Sequence, residues 1–484
     1  MDLVKKGNHI DLPFTLTLQN SALPLVAQHS LRFMPKKRIT VLARWGERQV
    51  VAKIFFHPKK SCQHFHKELN GLKNYKQSHI PSPLILYSGV SEVTNIYVIL
   101  LEYLKESVSL HTLYKNTPIL TEKMALLLPP FHYLAQLHQQ GFYHKDLHFG
   151  NFLIASGRCL MIDGDGIKKM TNRSPLGLAA SLKNVAQLSA QIPLNHRHLL
   201  NKPYTAYSKQ RGWDLSQPLP KKFLQAVDKA TQQRLINYEK KIRRNSSGIQ
   251  CKKQWRWYIV WQKQYASTAF FHALSTLDTV MDSKKSHYLK KGNTCTVAKV
   301  SVEQHHWVIK RFNIKNWRHG LKRAFSRSRG SKCWRNAHLM LLLGITVQKP
   351  IAFLERRWGP FRRQAYYISH FVEGTDLLTY TQQHANNEKI LHEVCEAVRD
   401  LFIQLHTAKI THGDLKATNF IVTKAKAITL IDLDAVTFHK HTASFQASWK
   451  KEMKRFMKNW ETTPYLKNLF KKIISEDTSA PLSW

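Results

Sequence analysis

Two stretches of this 484-residue chain, YHKDLHFGNF (residues 143–152) and THGDLKATNF (residues 411–420), share one wording, and each runs into an apolar stretch that closes on a pair of acids, LMIDGDG and LIDLDAV. Set in register on Asp146 and Asp414, they place His144 over His412 and Asn151 over Asn419. His138 and His406 fall eight residues upstream of the two aspartates, and Asp163 comes within one residue of Asp432. Correspondence at so many fixed offsets is an internal duplication.

Working outward, each half opens with a strand pair that carries a lysine. RITVLARW and RQVVAKIFF, joined by a Gly-Glu turn, predict a hairpin with Lys53; TCTVAKVSV and WVIKRFNI predict another with Lys310. A helical segment follows each (CQHFHKELNGLKNY; SKCWRNAHLMLLLG), then a proline-marked turn (IPSP; VQKP), then a second strand pair. The order in each half is sheet first and helices later, an α+β arrangement given twice in tandem.

The residue types suit nucleotide chemistry. A nucleoside triphosphate needs a cation on its inner phosphates, an amide and a carboxylate on its metal ions, and a carboxylate near the attacking hydroxyl. The pattern H-x-D-x-x-x-x-N, followed 12 or 13 residues later by an acid at a strand end, resembles the catalytic and metal-binding segments of protein-kinase-like enzymes. That resemblance implies an α+β fold of two tandem bilobal units, each a small antiparallel-sheet lobe plus a larger helical lobe, with ATP and Mg2+ as cofactors, Asp146 and Asp414 as proton acceptors, and Asn151 with Asp163 and Asn419 with Asp432 as metal ligands. Lys53 and Lys310 would reach the phosphates. Asp165 competes with Asp163 for the metal role, and the spacing of the second half selects Asp163. His138 and His406 read as packed scaffold residues.

The second half in particular resembles the lipopolysaccharide kinase family, the Kdo and heptose kinases of core assembly, through LKKGNTCTVAKV (289–300), WVIKRFN (307–313), WRNAHLMLLLGITVQKPIAFLE (334–355), THGDLKATNF and LIDLDAV. The likeness covers roughly residues 280–460. The first half is similar more loosely, through VVAKIF, YHKDLHFGNFLI, MIDGDG and SLKNVAQL. What the resemblance implies is ATP-dependent phosphorylation of a heptose or Kdo hydroxyl on a lipid-linked core oligosaccharide, by a protein that sits peripherally on the cytoplasmic face of the inner membrane. The alternatives are a kinase of protein Ser, Thr or Tyr hydroxyls, and one active half beside a pseudokinase or scaffold half.

Departures from the pattern are informative. In place of a glycine-rich phosphate loop, KKGN offers Gly292 and the first half's MPKKR offers no glycine. Glu68 is placed to pair with Lys53, whereas the corresponding helix of the second half has Asn336 nearby and no acid. Two residues past the catalytic aspartate stand His148 in one half and Lys416 in the other, and a lysine there could neutralise a moving phosphoryl group.

Composition fits a polyanionic partner. Lys and Arg number 74 against 31 Asp and Glu, a formal charge of +43. The six cysteines are scattered without Cys-x-x-Cys spacing, as in a chain of reduced thiols in the cytoplasm. The start, MDLVKKGNHIDLPF, has no apolar core of a leader, and no apolar run reaches the length that spans a bilayer. No nucleic-acid motif accompanies the charge, so none is expected as partner. The domains expected are 1–245, a basic and aromatic linker 246–265, and 266–484. Within that linker QWRWYIVWQKQY reads either as an interfacial segment or as a helix packing its aromatics inward. The clusters RHGLKRAFSRSRG (318–330), SWKKEMKRFMKNW (448–460) and KNLFKKI (467–473) could bind an anionic membrane surface or a phosphorylated glycolipid.

Overall fold

The computed structural model describes residues 10–93, 95–170, 174–216, 219–283, 286–313, 327–359 and 361–475. Residues 1–9 of the opening segment and 318–326 of the RHGLKRAFSRSRG cluster lie outside them. The chain is α+β and divides into two compact units, one of residues 1–191 with 198–231 and one of 192–197 with 232–484.

The first unit is built on a six-stranded antiparallel sheet in the order Phe14–Leu16, Leu25–Met34, Arg38–Trp45, Arg48–Phe55, Tyr97–Glu102, Ile85–Val90. The hairpin turns at Gly46, whose φ of +60° suits glycine. Along Arg48–Phe55 the side chains alternate. Val50, Ala52 and Ile54 enter a core on one face, while Lys53 and Phe55 point to the other, where Phe55 meets Phe65 of the Ser61–Gln77 helix edge-on. A lysine in a central strand is thereby forced under a helix. The helical part follows, with Leu120–Gln139, Leu178–Ser189 and Asn201–Gln210 around small strands.

The second unit has a seven-stranded antiparallel sheet in the order Ile249–Lys253, Trp257–Gln262, Pro350–Trp358, Phe361–His370, His305–Phe312, Cys295–Val302, His287–Lys291. Its lysine strand pairs on both sides, Lys310 opposite Val297 and Tyr367, and the Arg329–Leu342 helix packs over that face. The helices Glu388–Thr407, Thr442–Lys458 and Pro464–Ser475 build the remainder.

The stretch 246–265, expected as a linker, instead supplies two strands of this sheet. The aromatic alternation is the reason. Tyr258 and Val260 face the core beneath the Arg329–Leu342 helix, while Trp257, Ile259 and Trp261 face Thr268–Ser275 and Leu277–Asp282 on the other side. A strand covered on both faces reads as an unbroken apolar and aromatic run, which a helical or interfacial reading fits equally well.

Candidate active site

In both units the quoted motif folds the same way. The HxD segment leaves a short strand, Phe142–His144 or Ile410–Thr411, and turns through one 3-10 turn, Phe149–Asn151 or Ala417–Asn419, into the next strand. The Asn carbonyl then accepts from the amide that precedes the strand-end acid: Ile162 N to Asn151 O at 2.8 Å and Ile431 N to Asn419 O at 3.0 Å. Asp163 and Asp432 both adopt the left-handed conformation (φ 74° and 61°), each opening a 3-10 turn. Asp163, rather than Asp165, is thus the backbone match of Asp432. A non-glycine residue held left-handed stores of order 1 kcal/mol of strain, tolerated where surrounding bonds fix it. Here His144 Nε2 lies 3.2 Å from Asp163 O, and His412 Nε2 2.9 Å from Ile431 O.

The loop that presents the aspartate is braced differently in the two units. Asn184 accepts from His144 N (3.0 Å) and donates to His144 O (2.7 Å), and buried His138 completes the brace through Asn184 and Tyr207, a scaffold role. In the second unit the buried Glu452 carboxylate accepts from His412 N (2.6 Å) and Gly413 N (2.7 Å). His406 is exposed and packs edge-on against Phe445 and Trp449. Asp146 is exposed. Asp414 is half-buried, gripped by Arg455 (3.0 Å) on one oxygen and Lys416 (3.2 Å) on the other, while Asn419 Nδ2 donates to its backbone carbonyl at 2.8 Å.

The lysines reach acids in both units, with different partners. Lys53 Nζ pairs with Glu68, which is fully buried and also accepts from Gly164 N (3.1 Å) and Asp165 N (3.3 Å). Lys310 has no helix acid and pairs directly with Asp432 at 3.2 Å. Burial alone would lower the Lys310 pKa, but the Asp432 carboxylate overrides it and holds the ammonium above its ordinary value. Burial raises and Lys310 lowers the Asp432 pKa, with a net value below the ordinary carboxylate range. In the helix, Asn336 Nδ2 donates to Leu433 O (2.8 Å) and Val436 O (3.2 Å), fixing the turn that follows Asp432. Gly292 lies in the turn between the His287–Lys291 and Cys295–Val302 strands, its carbonyl near Asn313 Nδ2 at 3.5 Å.

Arg38 was not singled out in the sequence. It opens the strand after MPKKR, is 5% exposed, and contacts Glu68 (3.3 Å), Asp163 (3.5 Å) and Asp165 (3.1 Å). Burial would lower its pKa, but those three carboxylates raise it above the arginine value. The strand registers identify its counterpart: Arg38 pairs with Phe55, two residues past Lys53, and Cys295 pairs with Phe312, two residues past Lys310. A guanidinium in one unit therefore stands where the other has a half-buried thiol. In the second unit the cation on the other acid comes from the helix instead, Arg329 on Asp434. The signal was present in the hairpin register, which counts from the lysine.

Magnesium suits the oxygen donors of the second unit: Asn419 Oδ1 and Asp432 Oδ2 have no partner among the described residues. The first unit is mixed. Asn151 Oδ1 is buried without a hydrogen bond, and Glu68, Asp163 and Asp165 bring oxygens within 4.8 Å of one another. Asp163 Oδ1 is likewise buried without a hydrogen bond, yet the three acids already share Arg38, Lys53 on Glu68 and Arg32 at 3.7 Å from Asp163, so a divalent ion would compete there with cations the chain supplies.

Residues 278–470 match the family described as lipopolysaccharide kinase (Kdo/WaaP). The matched segment lies within the second unit and holds Lys310, Asp414, Asn419 and Asp432. The chain is also similar to the 3-deoxy-D-manno-octulosonic acid kinase of Vibrio vulnificus (strain YJ016), 24% identical over 133 residues, 28% of this chain and 49% of that protein. The chain spans about half the length of this curated relative.

Proposed function

We propose that the second unit transfers the terminal phosphoryl group of ATP to a heptose or Kdo hydroxyl of the lipopolysaccharide inner core, at the cytoplasmic face of the inner membrane. Asp414 accepts the hydroxyl proton, oriented by Arg455 and by the Glu452 brace. Lys310 neutralises the α/β-phosphates, and Lys416 is placed to follow the moving phosphoryl group. Asn419 and Asp432 would hold magnesium, which when bound supplies charge neutralisation and orientation of the phosphates. The observation that carries this reading is the convergence of Lys310 on Asp432, beside an Asn419 that buttresses Asp414, inside the segment that matches the family.

The +43 charge supports a polyanionic, lipid-linked acceptor. Along Thr442–Lys458 the aromatic face, Phe445, Trp449 and Phe456, is buried in the unit's own core, while Lys450, Lys451, Lys454 and Lys458 stay exposed. Attraction to an anionic leaflet would then be electrostatic rather than by insertion.

We read the first unit as a kinase-like partner that does not transfer phosphate. Arg38 supports this, since it sits among the acids that a catalytic metal would need. The test is transfer from labelled ATP with magnesium to dephosphorylated core lipopolysaccharide by wild type, Asp146→Ala and Asp414→Ala. Asp414→Ala is expected to lose transfer by at least about a thousandfold, with Asp146→Ala near wild type. Loss of a distinct phosphate in Asp146→Ala would make the first unit a second enzyme. Transfer by wild type to protein alone would remove the sugar reading.

A further inference from the structure

In the second unit a cavity of about 730 Å³ opens between the start of the Trp257–Gln262 strand and the tip of the hairpin Pro350–Trp358/Phe361–His370. It is lined by Arg256, Trp257, Arg356, Arg357, Trp358 and Arg363, together with two side-chain amides, and by no carboxylate among the described residues. This is where Arg256 and Trp257 of the unusual aromatic stretch go.

The four arginines are not equivalent. Arg356 is held at the back by Asp278 (2.9 Å) and lies over the Trp257 ring at 5.5 Å; Arg357 is held by Glu355 (Nε at 3.0 Å) and lies over Tyr258 at 4.5 Å. Arg256 and Arg363 are exposed and have no acid partner among the described residues. Two anchored guanidiniums thus form a wall, and two free ones stand at the opening. Beside them Trp358 is 65% exposed and stacks on Phe361 with ring planes at 27°.

The frame is set without a ligand. Arg357 N donates to Arg256 O (2.8 Å) and Gly359 N to Trp255 O (3.2 Å), tying the two turns together. Gly359 has a φ of +57°, and a Cβ there would meet the Trp255 ring at 2.9 Å, so the close approach requires glycine. Another wall residue, Asn313, directs its amide to Gly292 O and Thr296 Oγ1, which sets the cavity beside the turn expected to cover the phosphates.

Unpaired guanidiniums match a phosphate in fork geometry, and an exposed indole offers a flat apolar surface to a sugar ring. We propose that this cavity binds a phosphorylated sugar, with the phosphate on Arg256 and Arg363 and the ring against Trp358. Its service as a docking point for a phosphate already on the acceptor rests on the sugar-kinase reading above; the binding itself does not.

Calorimetry on the full chain with mannose 6-phosphate, mannose and inorganic phosphate tests this. Wild type is expected to bind mannose 6-phosphate saturably and more tightly than either of the others. Arg256→Ala/Arg363→Ala should weaken it roughly ten- to hundredfold, and Trp358→Ala should remove its advantage over inorganic phosphate. All three residues are exposed or at the rim, and thermal melts should stay at the wild-type temperature. Equal affinity for inorganic phosphate, displacement by a non-hydrolysable ATP analogue, or insensitivity to the arginine variants each overturns the proposal. Binding as expected in a protein that transfers nothing to core lipopolysaccharide would leave the cavity assigned and fell the kinase reading alone.

Discussion

At the residue scale the second unit depends on Glu452, a residue its motif does not announce. One buried carboxylate accepts both His412 N and Gly413 N, the two amides immediately before Asp414. Leaving two such donors unsatisfied costs about 1–3 kcal/mol each, and a shift of the aspartate by a fraction of an ångström is felt in the rate. Glu452→Ala is therefore expected to lower kcat roughly a hundredfold with little change in KM for ATP. Glu452→Gln, which keeps an acceptor at the site, should restore part of it. Steady-state kinetics of the two variants checks this, and equal loss of thermal stability without the kcat split would reduce Glu452 to a structural residue. The sequence put Glu452 inside a basic cluster, where it read as one acid among lysines; only tertiary folding brings it to the loop.

At the element scale the contact that fixes the first unit's acidic turn is helix against backbone. A Cβ at Gly71, in the Ser61–Gln77 helix, would lie 1.8 Å from Gly164 O, and one at Gly164 would lie 2.5 Å from Glu68 O. Neither partner is a side chain that can swing away. Gly71→Ala should thus destabilise the first unit by about 3 kcal/mol or more, although alanine is the better helix former, and a control such as exposed Lys73→Ala should not. Differential melting of the two variants decides it.

The elements themselves were largely legible, because strand alternation around Lys53 and Lys310 and the helices after them are local patterns. Glu68 was legible too, at a fixed distance from its lysine, and it does meet Lys53. What local patterns do not carry is which cation answers which acid. Arg38 and Arg329 come to their carboxylates from different elements, and Lys310 turns to Asp432 because its helix offers buried Asn336 and Cys333 in place of an acid. The strands at 249–262 were misread for the complementary reason: both their faces are covered, which erases the polar alternation of an exposed strand.

At the scale of the whole molecule, buried histidines set the response to acid. Burial lowers the pKa of His138 in the first unit to about 4 and that of His338 in the second to about 3, both well below the ordinary 6.5. In the unfolded chain they titrate near 6.5, so below that pH the unfolded state binds protons that the folded state refuses. Stability from this source is complete above pH 6.5 and falls as the pH descends toward 4, by about 3 kcal/mol for His138 alone. Melting temperature followed from pH 7.5 to 4.5 should drop, and His138→Gln, at lower initial stability, should flatten the slope. A wild-type curve without slope over that window would contradict the burial argument.

Arg38 has one more consequence, which concerns supply. On the reading proposed above, an acidic turn that holds its own arginine would make less demand on free magnesium than one whose acids lie open to an ion. If so, the two units would answer to different conditions: the second to the availability of metal and nucleotide, the first to neither through its acidic turn.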